Sequence, residues 1–250
     1  MISIFDEISY ANNILNNGFI TNKKGLELFI LAKYYRFECG KTKTECKNLL
    51  IDFCKRNVEN YSNGDFYRKV NSAITQAYKK DVQLLNIKHI EFNDLELDYI
   101  NKLHISPNAK KVLFGLWCCN KLNIKAGQSD RWIFTTPTDL KKFCNLQSNI
   151  KILQIINELY NNGLIFISDK WAISLSFLDN IDCNDYNTEF KIVDFDTCGL
   201  WWEKYLGNKK VRHCCRCDKL FVKNSNRQSY CKECAKEKEL EKYKKYNAKR

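Results

Sequence analysis

Two cysteine pairs carry the clearest chemistry in this 250-residue chain. Cys214 and Cys217 form one C-x2-C, Cys231 and Cys234 form another, and thirteen residues lie between the pairs. Each pair can wrap one side of a tetrahedral ion. Four thiolates complete the shell of Zn2+ and leave no position open for substrate or water. The spacing therefore predicts a structural zinc site with Cys214, Cys217, Cys231 and Cys234 as its ligands, against the bland alternative of a chance cluster of thiols. Cys215 is set aside because its use would give a tighter C-x-C, and His213 because four cysteines already fill the shell. Between the pairs, Leu220-Phe221-Val222 and Ser229-Tyr230 read as a hairpin that turns over Lys223 to Arg227. Such a hairpin has too little apolar surface to hold itself together. Bound zinc supplies the missing stability, on the order of 10 kcal/mol or more in small zinc peptides.

Charge gathers around the same segment. From Gly207 to Arg250, 15 lysines and arginines stand against 5 carboxylates, so +10 of the chain's net +12 lies there and +2 remains for residues 1–206. A surplus packed into a short segment makes a local field that attracts polyanions. After Cys234 the sequence AKEKELEKYKKYNAKR has neither proline nor glycine and should continue as a helix. Lys236, Lys242, Lys244, Lys245, Lys249 and Arg250 on that helix, with Lys210, Arg212, Arg216, Lys223 and Arg227 around the zinc lobe, are the candidate phosphate contacts. A lysine-rich helix can equally be a solvated face, and Glu237, Glu239 and Glu241 favour that reading.

Other chemistry is sparse. His89, His104 and His213 are isolated, and neither a zinc-protease H-E-x-x-H nor a phosphate-cradling G-x-x-x-x-G-K-[ST] is present. The expectation from motifs is that the chain is not an enzyme, although scattered carboxylates could still converge into a nuclease site. Thirteen cysteines are an odd number, mostly set singly in apolar patterns, which predicts reduced thiols rather than disulfides. With a mean hydropathy of -0.47 and no apolar run long enough to span a bilayer, the expectation is a soluble, cytoplasmic protein without membrane contact.

The elements that must position these residues read as mainly α with short β hairpins. A helical domain is expected over 1–105. Leu26, Phe29, Ala32 and Tyr35 recur at helical spacing, Thr42 and Glu45 have capping-box spacing before Cys46 to Cys54, and Phe66 to Ala77 form another stripe. Asn93 should cap a helix running to about Leu103. Residues 106–178 follow as a second domain: a helix through Val112 to Trp117, a strand at Trp132 to Phe134, helices from Pro137 and through Ile152 to Tyr160, then a hairpin over Leu164 to Leu175. That order is the order of a winged helix. The free face of its last helix offers Asn149, Lys151 and Gln154 to base edges or phosphates, while winged helices also dock on proteins. Residues 179–206 read as an acidic linker, able either to lie in solvent or to screen the basic tail. Residues 207–250 read as a treble-clef or ribbon-type zinc module.

On Cys214, Cys217, Phe221, Arg227, Tyr230, Cys231 and Cys234, the tail resembles C-terminal cysteine modules of phage and mobile-element proteins from AT-rich Gram-positive bacteria. The resemblance covers about a fifth of the chain. It implies a nucleic-acid-binding protein, with DNA ahead of RNA, that acts as a replication accessory or transcription regulator. The alternative is an inhibitor, such as an anti-CRISPR protein, directed at a host defence complex that itself holds nucleic acid.

Overall fold

A computed structural model of the chain describes residues 5–59, 62–128, 131–178 and 190–247. The fold is mainly helical, with three small antiparallel sheets among the described residues. Two compact units divide it, one from Ser3 to Lys88 and the other from His89 to Arg250.

The first unit holds α1 (Glu7–Asn17), α2 (Lys24–Phe37), α3 (Lys43–Asn57) and α4 (Asn63–Ala77). The Thr42–Glu45 capping box is formed at the start of α3. Leu28, Leu31, Ala32 and Tyr35 of α2 pack with Cys46, Leu50 and Phe53 of α3 and Val70, Ala73 and Ala77 of α4. The buried stripe of α2 is rotated from the one its spacing suggests, for Leu26 is 38% exposed and Phe29 only half-buried. Helix α2 is apolar on several faces, so its spacing admits more than one stripe, and packing selected Leu28 and Leu31. Inside this unit Glu27 accepts hydrogen bonds from Ile20 N (3.0 Å), Thr21 N (2.7 Å) and Tyr10 Oη (3.2 Å). Lys33 pairs with Glu7 and donates to Gln83 O at 3.1 Å. All three buried charged residues, Glu7, Glu27 and Lys33, are thereby satisfied.

The boundary expected at residue 105 falls instead at Lys88–His89. Strand β1 (Ile90–Phe92) pairs with β5 (Phe190–Ile192), a hundred residues later. Helix α5 (Asp94–Lys102), started by the Asn93–Glu96 capping box, lies against α6 (Pro107–Lys125) through the Lys121–Glu96 ion pair at 2.6 Å. Ser106 caps α6, its hydroxyl accepting Ala109 N at 3.2 Å. Then come β2 (Ile133–Phe134), α7 (Pro137–Phe143), α8 (Ile152–Asn161), β3 (Ile165–Ile167) and β4 (Ala172–Leu175), the three strands ordered β2-β4-β3.

The expected linker is structured where it is described: it supplies β5 and α9 (Cys198–Tyr205), and residues 179–189 lie outside the described residues. Trp201 and Trp202 of α9 are buried, and Trp202 lies 5.4 Å from Phe114 of α6. Lys111 of α6 pairs with Glu203 and donates to Asn145 O at 3.0 Å. A Cβ on Gly199 would sit 2.1 Å from the Cys144 carbonyl oxygen, so the backbones of α9 and the end of α7 meet at a distance that only glycine allows. No helix of the described residues is long and apolar enough to cross a membrane.

Candidate metal centre and its basic surroundings

Strands β6 (Val211–His213) and β7 (Leu220–Val222) pair antiparallel, and the connection between them carries the first cysteine pair. The hairpin is therefore not the one expected: β7 takes Val211–His213 as its partner, not Ser229-Tyr230. Pairing across Cys214 to Lys219 places both thiols of the first pair in one tight loop. The loop closes by Cys214 N to Lys219 O (2.9 Å) and Asp218 N to Cys214 O (3.0 Å), with Asp218 at φ +58°. That left-handed backbone suits glycine best, and aspartate and asparagine tolerate it better than most residues.

The second pair lies at the start of α10 (Lys232–Asn247), Cys231 just before it and Cys234 in its first turn. The four sulfurs lie within 4.8 Å of one another, and Cys217 Sγ and Cys231 Sγ are 3.8 Å apart. The edge of a tetrahedron with metal–sulfur bonds of about 2.3 Å is about 3.8 Å, so the donor set fits a tetrahedral ion. Cys214 and Cys234 are buried, Cys231 is half-buried and Cys217 is exposed. Cys231 N points at Cys214 Sγ (3.3 Å) and Cys234 N at Cys231 Sγ (3.5 Å), the kind of backbone donation that favours thiolate. Burial opposes ionisation of Cys214, yet the N–H groups of Cys231, Arg216 and Cys217 outweigh it and bring this thiol down to about 6. Burial and the neighbouring sulfurs push Cys217 and Cys234 up. Four thiolates at this spacing repel one another, so they ionise together only around a cation.

His213 and Cys215 stand outside the quartet. The His213 ring contacts Asp218 O through Nδ1 (2.8 Å) and Lys204 through Nε2 (2.6 Å), while Cys215 is exposed. Lys219 reaches Asp196 at 2.6 Å, so at this residue the acidic segment does neutralise part of the basic lobe.

The candidate phosphate contacts fall into distinct settings. Lys210, Arg212 and Arg227 are exposed. Arg216 is spent on Glu241 (2.8 Å) and Glu237 (3.7 Å), and Lys223 on Asn226 (3.1 Å). Lys236, Lys242 and Lys244 are exposed along α10. The Lys245 side chain, Lys249 and Arg250 lie outside the described residues. Beyond Cys234, every described side chain of this helix is exposed, including Leu240, Tyr243 and Tyr246. Lys238, not singled out from sequence, lies 4.3 Å from the Tyr230 ring and donates to its hydroxyl at 3.0 Å.

Asn149, Lys151 and Gln154 are brought together at the start of α8 around a cavity of about 360 Å3 that Ser106, Asn108, Ile155 and Glu158 also line. Lys141 holds the preceding loop by donating to Ser148 O (2.6 Å) and Ile150 O (2.7 Å). Both Glu158 oxygens accept from Ser106, N at 2.6 Å and Oγ at 2.7 Å. Ser106 and Asn108 escaped the sequence reading because they lie some forty residues upstream of α8.

No family model matches the chain, and no solved structure matches it. The DNA-directed RNA polymerase YonO of Bacillus phage SPbeta is 52% identical to it over 42 residues, which are 17% of this chain and 5% of that polymerase. The expectation that the chain is not an enzyme is overturned by this match, short and partial as it is, because the relative is by name an enzyme. The phage resemblance expected from the cysteine module has a counterpart in a phage protein.

Proposed function

We propose that the chain is a phage-type nucleic-acid-binding protein in which a zinc module of treble-clef kind anchors a basic helix and a winged helix contributes base contacts. The observation that carries this reading is a helix of 16 residues, exposed along its length, rooted by its first turn in a four-sulfur site. A helix that is exposed beyond its first turn gains little from packing, and its lysines lie open to phosphate. Zinc is the ion that four thiolates in a tetrahedral set suit best. The helix–strand–helix–helix–hairpin order of residues 107–175, with the first strand pairing to the last, supports the winged helix. The amides and lysine beside its third helix supply adenine-type and phosphate contacts. The similarity to a protein named as a DNA-directed polymerase supports a role on DNA, in replication or transcription.

Selection of bound sequences from a random duplex pool by the zinc-loaded chain tests this. Changing Asn149, Lys151 and Gln154 together to alanine should reduce preference for the selected site more than general affinity. Failure of the unaltered chain to retain DNA or RNA even at low salt would overturn the reading.

A further inference from the structure

The division at Lys88–His89 redistributes the charge. Residues 3–88 carry 14 lysines and arginines against 9 aspartates and glutamates, a net of +5, whereas residues 89–206 carry 12 against 15, a net of -3. The small surplus of residues 1–206 thus conceals a basic helical unit followed in sequence by an acidic stretch. In that unit a cavity of about 380 Å3 opens between α2 and α4, lined by Gly25, Leu26, Phe29, Arg68, Lys69, Ser72, Ala73 and Gln76. Its floor includes Leu26, which is exposed, and Phe29, which packs on the edge of the core with Lys33 Nζ 5.0 Å from its ring. At its rim, Arg68 has no hydrogen-bond or ion-pair partner among the described residues. Lys24 and Lys69 approach the Phe66 ring (5.5 and 5.1 Å) and have no carboxylate partner among the described side chains.

From this juxtaposition we infer that the α2–α4 groove is a second nucleic-acid site, which takes one nucleotide of a single strand. This rests on the nucleic-acid reading above and extends it to a unit in which sequence motifs single out no site. Arg68, Lys69 and Lys24 neutralise the phosphates, the guanidinium offering paired donors to its oxygens. Leu26, Phe29 and Ala73 receive the flat face of the base, and Ser72 and Gln76 meet its polar edge. A concavity of this volume accommodates a small ligand, too little for a duplex. The apolar floor favours a base over an acidic peptide, whose carboxylates would leave that floor uncovered.

The test is photo-crosslinking of the full zinc-loaded chain to a single-stranded thymidine oligomer carrying 5-iodouracil, with adducts mapped by mass spectrometry. Adducts are expected within Gly25 to Phe29, and they should persist when Lys242 and Lys244 are changed to glutamine. In the chain with Arg68→Gln and Lys69→Gln they should fall at least about fivefold, and the slope of log affinity against log salt should drop by about 1.4, at about 0.7 per phosphate contact on single strands. A second variant, Gly25→Glu, places a carboxylate in open space at the cavity mouth and should abolish the same adducts without lowering the melting of the unit. Adducts confined to residues 106–247 overturn the groove but leave the nucleic-acid reading standing, whereas no adducts and no retention at low salt overturn both. Tighter retention of poly-glutamate than of oligothymidine, lost with Arg68→Gln and Lys69→Gln, would make the groove a seat for acidic protein and overturns it as well.

Discussion

The helical unit and the metal lobe solve the problem of stability in opposite ways. In the helical unit, sixteen buried residues from four helices form one apolar cluster, and its three interior charged residues, Glu7, Glu27 and Lys33, are matched by partners. In the metal lobe the buried cluster is Cys214, Phe221 and Cys234, with Tyr230 and Cys231 packed beside it. Even with Val211 and Leu220 added, five buried residues, two of them thiols, cannot offset the conformational entropy of ordering about forty. The difference teaches that the helical unit's order comes from what its side chains cover, whereas the lobe's four sulfurs are the group that a metal ion would tie together.

Metal removal should therefore separate the two with the largest effect. Chelation of the proposed zinc, or Cys217→Ser or Cys231→Ser, withdraws a free energy on the order of 10 kcal/mol from the lobe. Hydrogen exchange should then show β6, β7 and the start of α10 losing protection while α1 to α4 keep theirs. Elemental analysis should find one zinc per chain before treatment and none after it. Protein purified without chelators that lacks zinc yet protects β6 and β7 would break the comparison.

Glycine substitutions sharpen it at an intermediate scale. Gly199→Ala drives a methyl into the Cys144 carbonyl oxygen, which should destabilise the second unit by about 1–3 kcal/mol or more. Gly25→Ala, on an exposed turn of α2 with nothing within 4 Å, should instead stabilise the first unit by about 0.5–1 kcal/mol. Denaturant titrations of the two variants should shift in opposite directions. A matching loss in both would mean that the Gly199 approach is looser than its geometry.

How far the sequence revealed the molecule follows how local each feature is. The cysteine quartet, the Thr42–Glu45 and Asn93–Glu96 boxes and the Leu164 to Leu175 hairpin each depend on residues within a few turns of one another, and all could be read from spacing. The β1–β5 pairing joins three-residue strands a hundred residues apart, with no periodicity long enough to notice. Helix α9 has eight residues behind an acidic run, so composition suggested a linker while Trp201 and Trp202 were carrying the contact. The partner of β7 was misplaced because the loop that holds the first cysteine pair also serves as the hairpin turn. Ser106 and Asn108 beside α8, and Arg68 beside Phe29, are juxtapositions that only tertiary packing creates.

The smallest expected effect concerns the outer surface of α10, where no folding energy is at stake. Lys242 and Lys244 are exposed, whereas Arg216 is held by Glu241 and Glu237. If phosphate neutralisation drives binding, each lysine in contact contributes about 0.9 to the slope of log affinity against log salt on duplex DNA. Lys242→Gln with Lys244→Gln should thus flatten that slope by up to about 1.8, while zinc content and melting stay unchanged because glutamine keeps helix propensity near that of lysine. Arg216→Gln should change the slope much less, since its charge is already matched by Glu241 and Glu237. The ordering of the two slopes is the decisive measurement. A larger effect at Arg216 than at the two lysines would mean that the guanidinium leaves Glu237 and Glu241 to bind phosphate itself, and that the lysines of α10 are a solvated face.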